Sequence, residues 1–223
     1  MINVIFAPHY DDEILGCGGV ISKLKGNGEE VIVVYCTSAK SEYSEYFNQK
    51  SVDQTLHESF LVCRDMGIES VHLDFPVPGL NAFPEFKISI AFVDILKKFR
   101  PDCVFLPFPG DLHQDHKAIY RAGLVAVRPK NGILVKRVLT YEVLSETDWG
   151  SIHEPHFYPN YFIPISKENM RDKLEMMRYY NSQLGDGNSN RTLTSLEALA
   201  RLRGGTIGEE YAEAFILERE IAL

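Results

Sequence analysis

Two short polar clusters contain the residue types that could do chemistry in this chain. The first, 9–13, reads His-Tyr-Asp-Asp-Glu, and the second, 111–116, reads Asp-Leu-His-Gln-Asp-His. In each cluster, two side chains three residues apart can point the same way in a turn or at the start of a helix. Two imidazoles and one carboxylate form the ligand set of a catalytic zinc, which keeps a fourth position open for water. The two clusters together therefore predict a shared metal site.

The elements that would position these clusters are the strands of a parallel sheet. Amphipathic helical patterns, at 52–66 and 88–99, lie between short β-prone runs, and this alternation predicts a sheet with helices on both faces. In the usual strand order, the first and fourth strands are neighbours at the switch point where ligands bind. We therefore expect the two clusters to meet there. The predicted strands are Ile2–Phe6, Val31–Cys36, Val71–Asp74, Cys103–Leu106 and Arg137–Val143.

The predicted fold is an α/β, Rossmann-like three-layer sandwich with a mostly parallel sheet and a C-terminal helical and irregular elaboration. Residues 146–164 form the irregular part, which ends near a candidate strand at Tyr161–Ile165. Ser166 is a candidate N-cap for the helix that follows. Another helix is predicted over residues 193–202. No repeat or composition shift marks a boundary, so 1–223 is expected to form a single domain.

Composition and charge exclude several other classes of protein. Hydrophobic residues make up 45% and charged residues 24%, as in an ordinary globular protein and unlike a disordered chain. The net charge is -8 without a basic block, whereas a nucleic-acid-binding protein usually needs a basic stripe. The longest apolar stretch, Val31–Cys36, is far shorter than the ~20 residues of a membrane span. The first residues also lack the basic region of a signal peptide.

The cysteines indicate a reducing compartment. The four of them lie far apart and form no Cys-x-x-Cys motif, which predicts reduced, mostly buried thiols rather than a disulfide framework. We therefore expect a cytoplasmic protein. The cysteines are Cys17, Cys36, Cys63 and Cys103.

A dinucleotide-binding site is the alternative suggested by the glycines after the first cluster. The run Gly16–Gly19 follows a predicted strand, but the third glycine of a Gly-x-Gly-x-x-Gly fingerprint would fall at Ile21. The acidic residues 11–13 also stand where a pyrophosphate would need free amides and positive potential. The glycines are therefore expected to allow a tight turn and close helix packing.

The two clusters resemble a known family of enzymes. Residues 8–13, Pro-His-Tyr-Asp-Asp-Glu, resemble the Pro-His-Pro-Asp-Asp-Glu motif of the LmbE/PIG-L deacetylases, zinc enzymes that remove the acetyl group from N-acetylglucosamine-type sugars. Residues 111–116 are similar to the second motif of that family, and 203–215 to its C-terminal signature, so the resemblance spans nearly the whole chain. The sequence departs from the family pattern at two positions. Tyr10 stands where the motif usually has a proline, and Thr55 stands where many members have an arginine linked to substrate binding.

The resemblance implies which residues hold the metal. It assigns His9, Asp12 and His116 as the ligands, and imidazole with carboxylate suits a borderline ion such as Zn²⁺. Zn²⁺ is the expected cofactor, with Fe²⁺ as the alternative. Such an ion lowers the pKa of a bound water to ~7 and polarises a carbonyl group.

The resemblance also implies the catalytic groups. Asp11, next to a metal ligand, is expected to act as the general base that takes a proton from the attacking water. His113, held protonated by Asp115, is expected to donate a hydrogen bond to the oxyanion and then protonate the leaving amine.

Further residues outside these positions also receive roles. Tyr211 and Arg203 are assigned to substrate binding, with a core tyrosine and an Arg203–Glu213 pair as the alternatives. Glu13 is expected to accept hydrogen bonds from amides at the helix start. The segment Trp149–Pro164 either forms a wall of the substrate cleft or an oligomer contact.

The predicted function is that of a zinc-dependent amide hydrolase acting on an N-acetylglucosamine-type sugar or sugar conjugate, with a homo-oligomer as a further expectation. A metal-dependent phosphohydrolase is one alternative, but it would need basic residues around the cleft, and both clusters are acidic and imidazole-rich. A catalytically silent sugar-binding module is the other, although a pure binding protein needs neither a base nor an acid. Neither a nucleic-acid partner nor an integral membrane segment is expected.

Overall fold

A computed structural model describes residues 1–38, 48–77, 79–130 and 132–222 of the chain. These residues form seven strands, six α-helices and a short 3₁₀ helix at Leu80–Ala82. The order along the chain is β1 (Ile2–Ala7), α1 (Asp12–Gly26), β2 (Glu30–Ser38), α2 (Gln49–Met66), β3 (Glu69–Pro76), α3 (Glu85–Phe99), β4 (Cys103–Pro107), α4 (Gln114–Ala126), β5 (Arg137–Tyr141), β6 (Tyr161–Pro164), α5 (Lys167–Tyr179), α6 (Leu193–Thr206) and β7 (Ala212–Glu220).

All seven strands belong to one sheet, in the order β3-β2-β1-β4-β5-β7-β6. The first five strands run parallel, and β1 pairs with β2 on one side and with β4 on the other, so that Val4 lies between Ile32 and Val104. Strand β7 runs antiparallel to both β5 and β6. The predicted α/β class with a mostly parallel sheet is therefore confirmed, and so is the adjacency of the first and fourth strands.

Alternation along the strands divides the core into two apolar layers. Ile5 of β1 and Val33 of β2 point toward α1, α2, α5 and α6, whereas Val4 and Phe6 point toward α3 and α4. The Phe6 ring stacks on Phe92 of α3 with centroids 4.0 Å apart. Strands buried on both faces need continuous apolar runs, which explains why β1 and β2 were predictable from sequence.

Local signals set the ends of the helices. Asn48 caps α2 with its side chain, and Gly67 ends that helix with φ of 60°, a conformation that glycine adopts without strain. Ser166 and Asn169 form a reciprocal capping box at the start of α5, so the predicted N-cap is confirmed. Within the part of the chain that the structure describes, each helix is too short or too polar to cross a membrane.

Strand β7 was not predicted, and one buried acidic residue explains why. Glu213 lies in β7 but is buried, and it accepts hydrogen bonds from the amides of Gly19 (2.9 Å) and Val20 (2.7 Å) in α1. Its carboxylate also pairs with Lys173 of α5 at 2.5 Å. The pairing of Arg203 with Glu213 considered from sequence is therefore wrong.

Candidate metal centre

The two polar clusters meet at the carboxyl ends of β1 and β4, as predicted. His9 follows β1 and Asp12 opens α1, while His116 lies in the first turn of α4. Asp12 Oδ2 is 3.2 Å from His9 Nδ1 and 3.3 Å from His116 Nε2. One donor atom from each of the three residues lies within 4.8 Å of the other two. The three predicted ligands therefore converge on one point.

Each of the two imidazoles is held by a second carboxylate. His9 Nε2 is 3.2 Å from Asp115 Oδ2, and His116 Nδ1 is 2.7 Å from Asp111 Oδ2. Both rings thus have one nitrogen toward Asp12 and the other toward an acceptor, the arrangement that orients metal-binding histidines in proteins. Sequence reasoning placed Asp111 in the second motif but gave it no role, because its contact with His116 depends on how α4 begins.

The donor set fits a divalent cation. His116 Nε2 is buried and has no hydrogen-bond partner within the described residues, and such a group costs roughly 1–3 kcal/mol unless a partner or an ion satisfies it. Two imidazoles and Asp12 match the ligands of catalytic zinc sites. A second set, His9, His113 and Asp115, is equally compact, but His113 Nδ1 already accepts a hydrogen bond from the Asp115 amide.

Electrostatics at this point favour positive charge. Burial lowers the pKa of His9, but Asp115 and Asp12 outweigh it and raise that pKa to about 9. Burial likewise opposes charge on His116, yet Asp12 and Asp111 raise its pKa well above the usual value. Burial raises the pKa of Asp12, and the two imidazoles hold it well below its ordinary value instead. The carboxylates thus stabilise two positive charges beside Asp12, the charge that a divalent cation would bring.

Asp11 precedes the predicted ligand Asp12 and lines an open cavity, and its backbone conformation is unusual. Its φ is 115°, a region that side-chain-bearing residues rarely adopt. The Asp11 amide donates to Glu13 Oε2 (3.1 Å), and its Oδ2 accepts from Arg191 Nη1 (2.9 Å). Burial raises the pKa of Asp11 to about 8, although the Arg191 charge lowers it. The carboxylate is therefore poised to exchange a proton near neutral pH.

Glu13 holds the backbone of Asp11 from inside the core. Its Oε1 accepts hydrogen bonds from Tyr35 (2.9 Å) and Tyr180 (2.6 Å), while its Oε2 accepts from the Asp11 amide. Burial raises the pKa of Glu13 to about 7, although the two tyrosine hydroxyls lower it. The predicted contact with a helix-start amide is confirmed for Asp11. The tyrosines, from β2 and the end of α5, could not be assigned from sequence.

Arg191 is the main site residue that sequence reasoning missed. It lies in the loop between α5 and α6, where it follows a run of glycine, serine and asparagine. Besides Asp11, it contacts Ser145 Oγ (2.9 Å, from Nε) and approaches Glu146 Oε1 to 3.7 Å. An arginine in an irregular loop carries no pattern that predicts its target, and only the folded chain brings it to the cavity.

His113 lies beside the centre and caps α4. Its Nδ1 accepts a hydrogen bond from the Asp115 amide at 3.2 Å, and that nitrogen is 3.8 Å from the Asp115 carboxylate. Burial, together with the charge on His9, lowers the pKa of His113 to about 4, although the Asp115 carboxylate raises it. The expectation that Asp115 holds His113 protonated therefore stays a prediction. In a neutral ring, Nδ1 is the acceptor and the proton is on Nε2.

Tyr211 and Arg203 lie away from these residues. The Tyr211 hydroxyl donates to Glu197 of α6 at 2.9 Å. Arg203 forms a two-pronged pair with Glu142, at 2.7 and 2.6 Å. The structure does not bring either of them to the ligands of the candidate centre, so their substrate-binding role stays a prediction from the resemblance.

A cavity of about 380 Å³ opens onto the centre. His9, Asp11 and His113 line this cavity, together with Thr55 and Gln183. Gln183 Nε2 donates to Thr55 Oγ1 at 3.2 Å. Thr55 and Gln183 therefore offer neutral hydrogen-bonding groups to the cavity. The resemblance implies an arginine at the position of Thr55 in many members of the family.

Comparison with known proteins identifies the family. The family model of the GlcNAc-PI de-N-acetylases, PIG-L, matches residues 4–127, which is more than half of the 223 residues. This chain belongs to the PIG-L family. The match covers both polar clusters. The predicted family is confirmed, and with it the predicted enzyme class, a deacetylase.

Several known proteins are similar to this chain along most of its length. Diacetylchitobiose deacetylase from Thermococcus kodakarensis is 28% identical over 213 residues, covering 92% of this chain and 79% of that protein. A conserved protein from Thermus thermophilus superposes with a TM-score of 0.79 at 25% identity, covering 99% and 96%. N,N'-diacetylchitobiose deacetylase from Pyrococcus horikoshii has the same fold, with a TM-score of 0.73, 24% identity and coverage of 97% and 83%.

Proposed function

We propose that this protein hydrolyses the acetamide of an N-acetylglucosamine-type sugar, releasing acetate and a free amine. The observation that carries the proposal is the convergence of His9, Asp12 and His116 beside an open cavity that His9 and Asp11 line. Membership of the PIG-L family supports the same reaction. Diacetylchitobiose deacetylase, a relative by sequence, supports an uncharged N-acetylated saccharide as the substrate class.

We assign the metal to His9, Asp12 and His116, with Zn²⁺ as the proposed ion. Fe²⁺ accepts the same donors and is the alternative. When bound, such an ion lowers the pKa of a water molecule and polarises a carbonyl group. Asp115 and Asp111 fix the rings of the two histidines, and so hold the ligands in place before the metal binds.

Asp11 is the proposed base, and Arg191 positions it. With Oδ2 held by Arg191, the second oxygen of Asp11 remains to accept a proton from the water that attacks the acetyl carbon. When the carbon–nitrogen bond breaks, the same carboxyl group returns that proton to the leaving nitrogen, and acetate is the other product. One group serves for both transfers because a pKa near neutrality suits a base and an acid alike.

His113 is the proposed donor to the acetyl oxygen. A neutral imidazole with its proton on Nε2 can donate a hydrogen bond as negative charge develops on that oxygen. The Asp115 amide fixes the tautomer, because it occupies Nδ1. In this proposal Asp11 protonates the amine; the resemblance implies an imidazolium of His113 in that role, which is the alternative.

The observed charges weigh against a phosphohydrolase. Among the described residues that line the cavity, Arg191 is the one lysine or arginine, and it pairs with Asp11 and lies near Glu146. A phosphate group would need free cations at this position. The intact base and ligand set likewise weigh against a catalytically silent module.

The test combines metal analysis with an acetate-release assay on N-acetylglucosamine and N,N'-diacetylchitobiose. We expect about one divalent ion per chain and a loss of at least ~10² in rate for Asp11→Asn, the usual scale for one acid–base group. Asp94→Asn, the same change at an exposed position on α3, is the matched control. Acetate release that is unchanged in Asp11→Asn, or release of phosphate from sugar phosphates without acetate from either sugar, would overturn the proposal.

A further inference from the structure

A second cavity adjoins the candidate centre. Its volume is about 390 Å³, which lies within the ~300–1,000 Å³ range of small-molecule sites. His113 and Glu146 line both this cavity and the first one. Because the two cavities share these residues, a ligand longer than one sugar ring could extend from one into the other.

Trp149 forms the apolar side of this second cavity. It is the only tryptophan of the chain, and 60% of its surface is exposed. Leu112, which also lines the cavity, is 50% exposed. Burying apolar surface contributes ~25 cal/mol of favourable free energy per Å², which a ligand that covers Trp149 and Leu112 would gain. An exposed apolar patch inside a polar-rimmed cleft is typical of a binding site. The rim supplies polar groups from Asn81 and Gln114.

Hydrogen bonds just before Trp149 anchor the loop that carries it. Thr147 Oγ1 accepts from the Val143 amide (2.8 Å) and donates to Asp111 Oδ1 (2.6 Å). The Leu112 amide donates to the carbonyl of Glu146 at 3.1 Å. Because Asp111 also orients His116, the loop is anchored to the candidate centre itself. A contact surface that is ordered before binding avoids the entropic cost of ordering it on the ligand.

These features lead to an assignment for the second cavity, which rests on the proposed function. We propose that it is a subsite for a second, uncharged sugar ring, linked to the N-acetylated ring that is hydrolysed. The indole of Trp149 packs on the C–H face of this ring, a surface that matches a flat aromatic group. Asn81, Gln114 and Ser145, which also line the cavity, are in place to hydrogen-bond with its hydroxyl groups.

The single tryptophan makes binding directly observable. The experiment follows the intrinsic fluorescence of metal-loaded Asp11→Asn, in which turnover is suppressed, during titration with N,N'-diacetylchitobiose or N-acetylglucosamine. We expect a saturable change with the disaccharide and a smaller change, or none, with the monosaccharide. Equal changes with both sugars, or no change with either at concentrations that saturate acetate release by the wild type, would overturn the subsite.

Kinetics on the active enzyme supply an independent readout. For Trp149→Ala, we expect KM for the disaccharide to rise about tenfold or more, the usual effect of removing a buried aromatic contact, while kcat for the disaccharide and both constants for the monosaccharide stay near wild type. Trp149→Phe should recover part of the loss. Tyr158→Ala, which removes another exposed aromatic of the same irregular segment, is the matched control and should change neither substrate.

The outcomes separate the subsite from the proposed function. If the wild type releases no acetate from either sugar, the proposed function fails. If it releases acetate but Trp149→Ala affects both substrates equally, or alters only the oligomeric state of the protein, the subsite fails and the function stands.

Discussion

Arg191 reaches Asp11 across 180 positions of the chain, and this contact marks the limit of sequence reasoning at the scale of single residues. The convergence of the three proposed ligands was predictable because histidine and aspartate stand at short spacings directly after two recognisable strands. Arg191 was not, because it belongs to an irregular loop whose path depends on tertiary structure. The surroundings of His113 could not be predicted either, since burial and the neighbouring His9 act on its pKa against Asp115.

Replacing Arg191 should mainly lower kcat. A hydrogen bond to a charged group contributes roughly 1.5–3 kcal/mol, so Arg191→Ala should reduce kcat on the order of 10- to 100-fold with little change in KM. Arg191→Lys should recover part of the activity, and Arg178→Ala, which removes an exposed arginine of α5, should have no effect. Steady-state acetate release measures both constants. A rise in KM at constant kcat would instead assign Arg191 to substrate binding.

Asp111 should control metal affinity, although it is not a proposed ligand. Asp111→Asn weakens the charged contact that orients His116, and loss of such a supporting group typically costs 10–100-fold in metal affinity. Competition of the purified protein with a chromogenic chelator measures the dissociation constant for Zn²⁺. Asp94→Asn serves as the control. Equal affinities for Asp111→Asn and the wild type would contradict this role.

At the scale of elements, α1, α5 and β7 are joined by one buried ion pair. Glu213 accepts from two amides of α1 and pairs with Lys173 of α5, which also donates to the Leu15 carbonyl at 2.8 Å. The helices and parallel strands were largely predictable, since their apolar periodicity reflects burial. Strand β7 was not, because Glu213 makes it read as polar, and the partner that neutralises this charge lies 40 residues away.

Breaking this pair should destabilise the fold strongly. Glu213→Gln or Lys173→Met leaves one charge buried without its partner, which typically costs ~3–5 kcal/mol. The double variant should be less destabilised than the sum of the two single variants, because neither charge then remains. Urea denaturation followed by circular dichroism gives the free energies of unfolding. Additive effects of the two substitutions would mean that the pair does not act as a unit.

At the scale of the whole molecule, the order of the strands creates the site. Parallel pairing of β1 with β4 places the starts of α1 and α4 at one edge of the sheet, where the two polar clusters meet. This arrangement could be predicted from sequence because the alternation of strands and helices restricts the topology to few solutions. This arrangement also buries several carboxylates close together, which repel one another unless positive charge lies between them. They are Asp11, Asp12 and Asp115.

Metal binding should therefore raise the stability of the entire fold. A ligand that binds only the native state at 100 times its dissociation constant adds ~2.7 kcal/mol. We expect Zn²⁺ to raise the Tm of the chelator-treated protein, as measured by calorimetry. His116→Ala and Asp12→Asn should show a much smaller shift. A Tm that does not respond to Zn²⁺ in the wild type would count against the proposed centre.

The burial of every thiol has a practical consequence for experiments on this molecule. Cys17 and Cys36 are fully enclosed, while Cys63 and Cys103 are 5% and 6% exposed, and burial raises the pKa of all four. Alkylating reagents need an accessible thiolate, so they should modify the native chain only when it opens. A cysteine introduced on the surface would then be the single fast-reacting position, available for site-specific attachment of a spectroscopic label without removing any natural thiol.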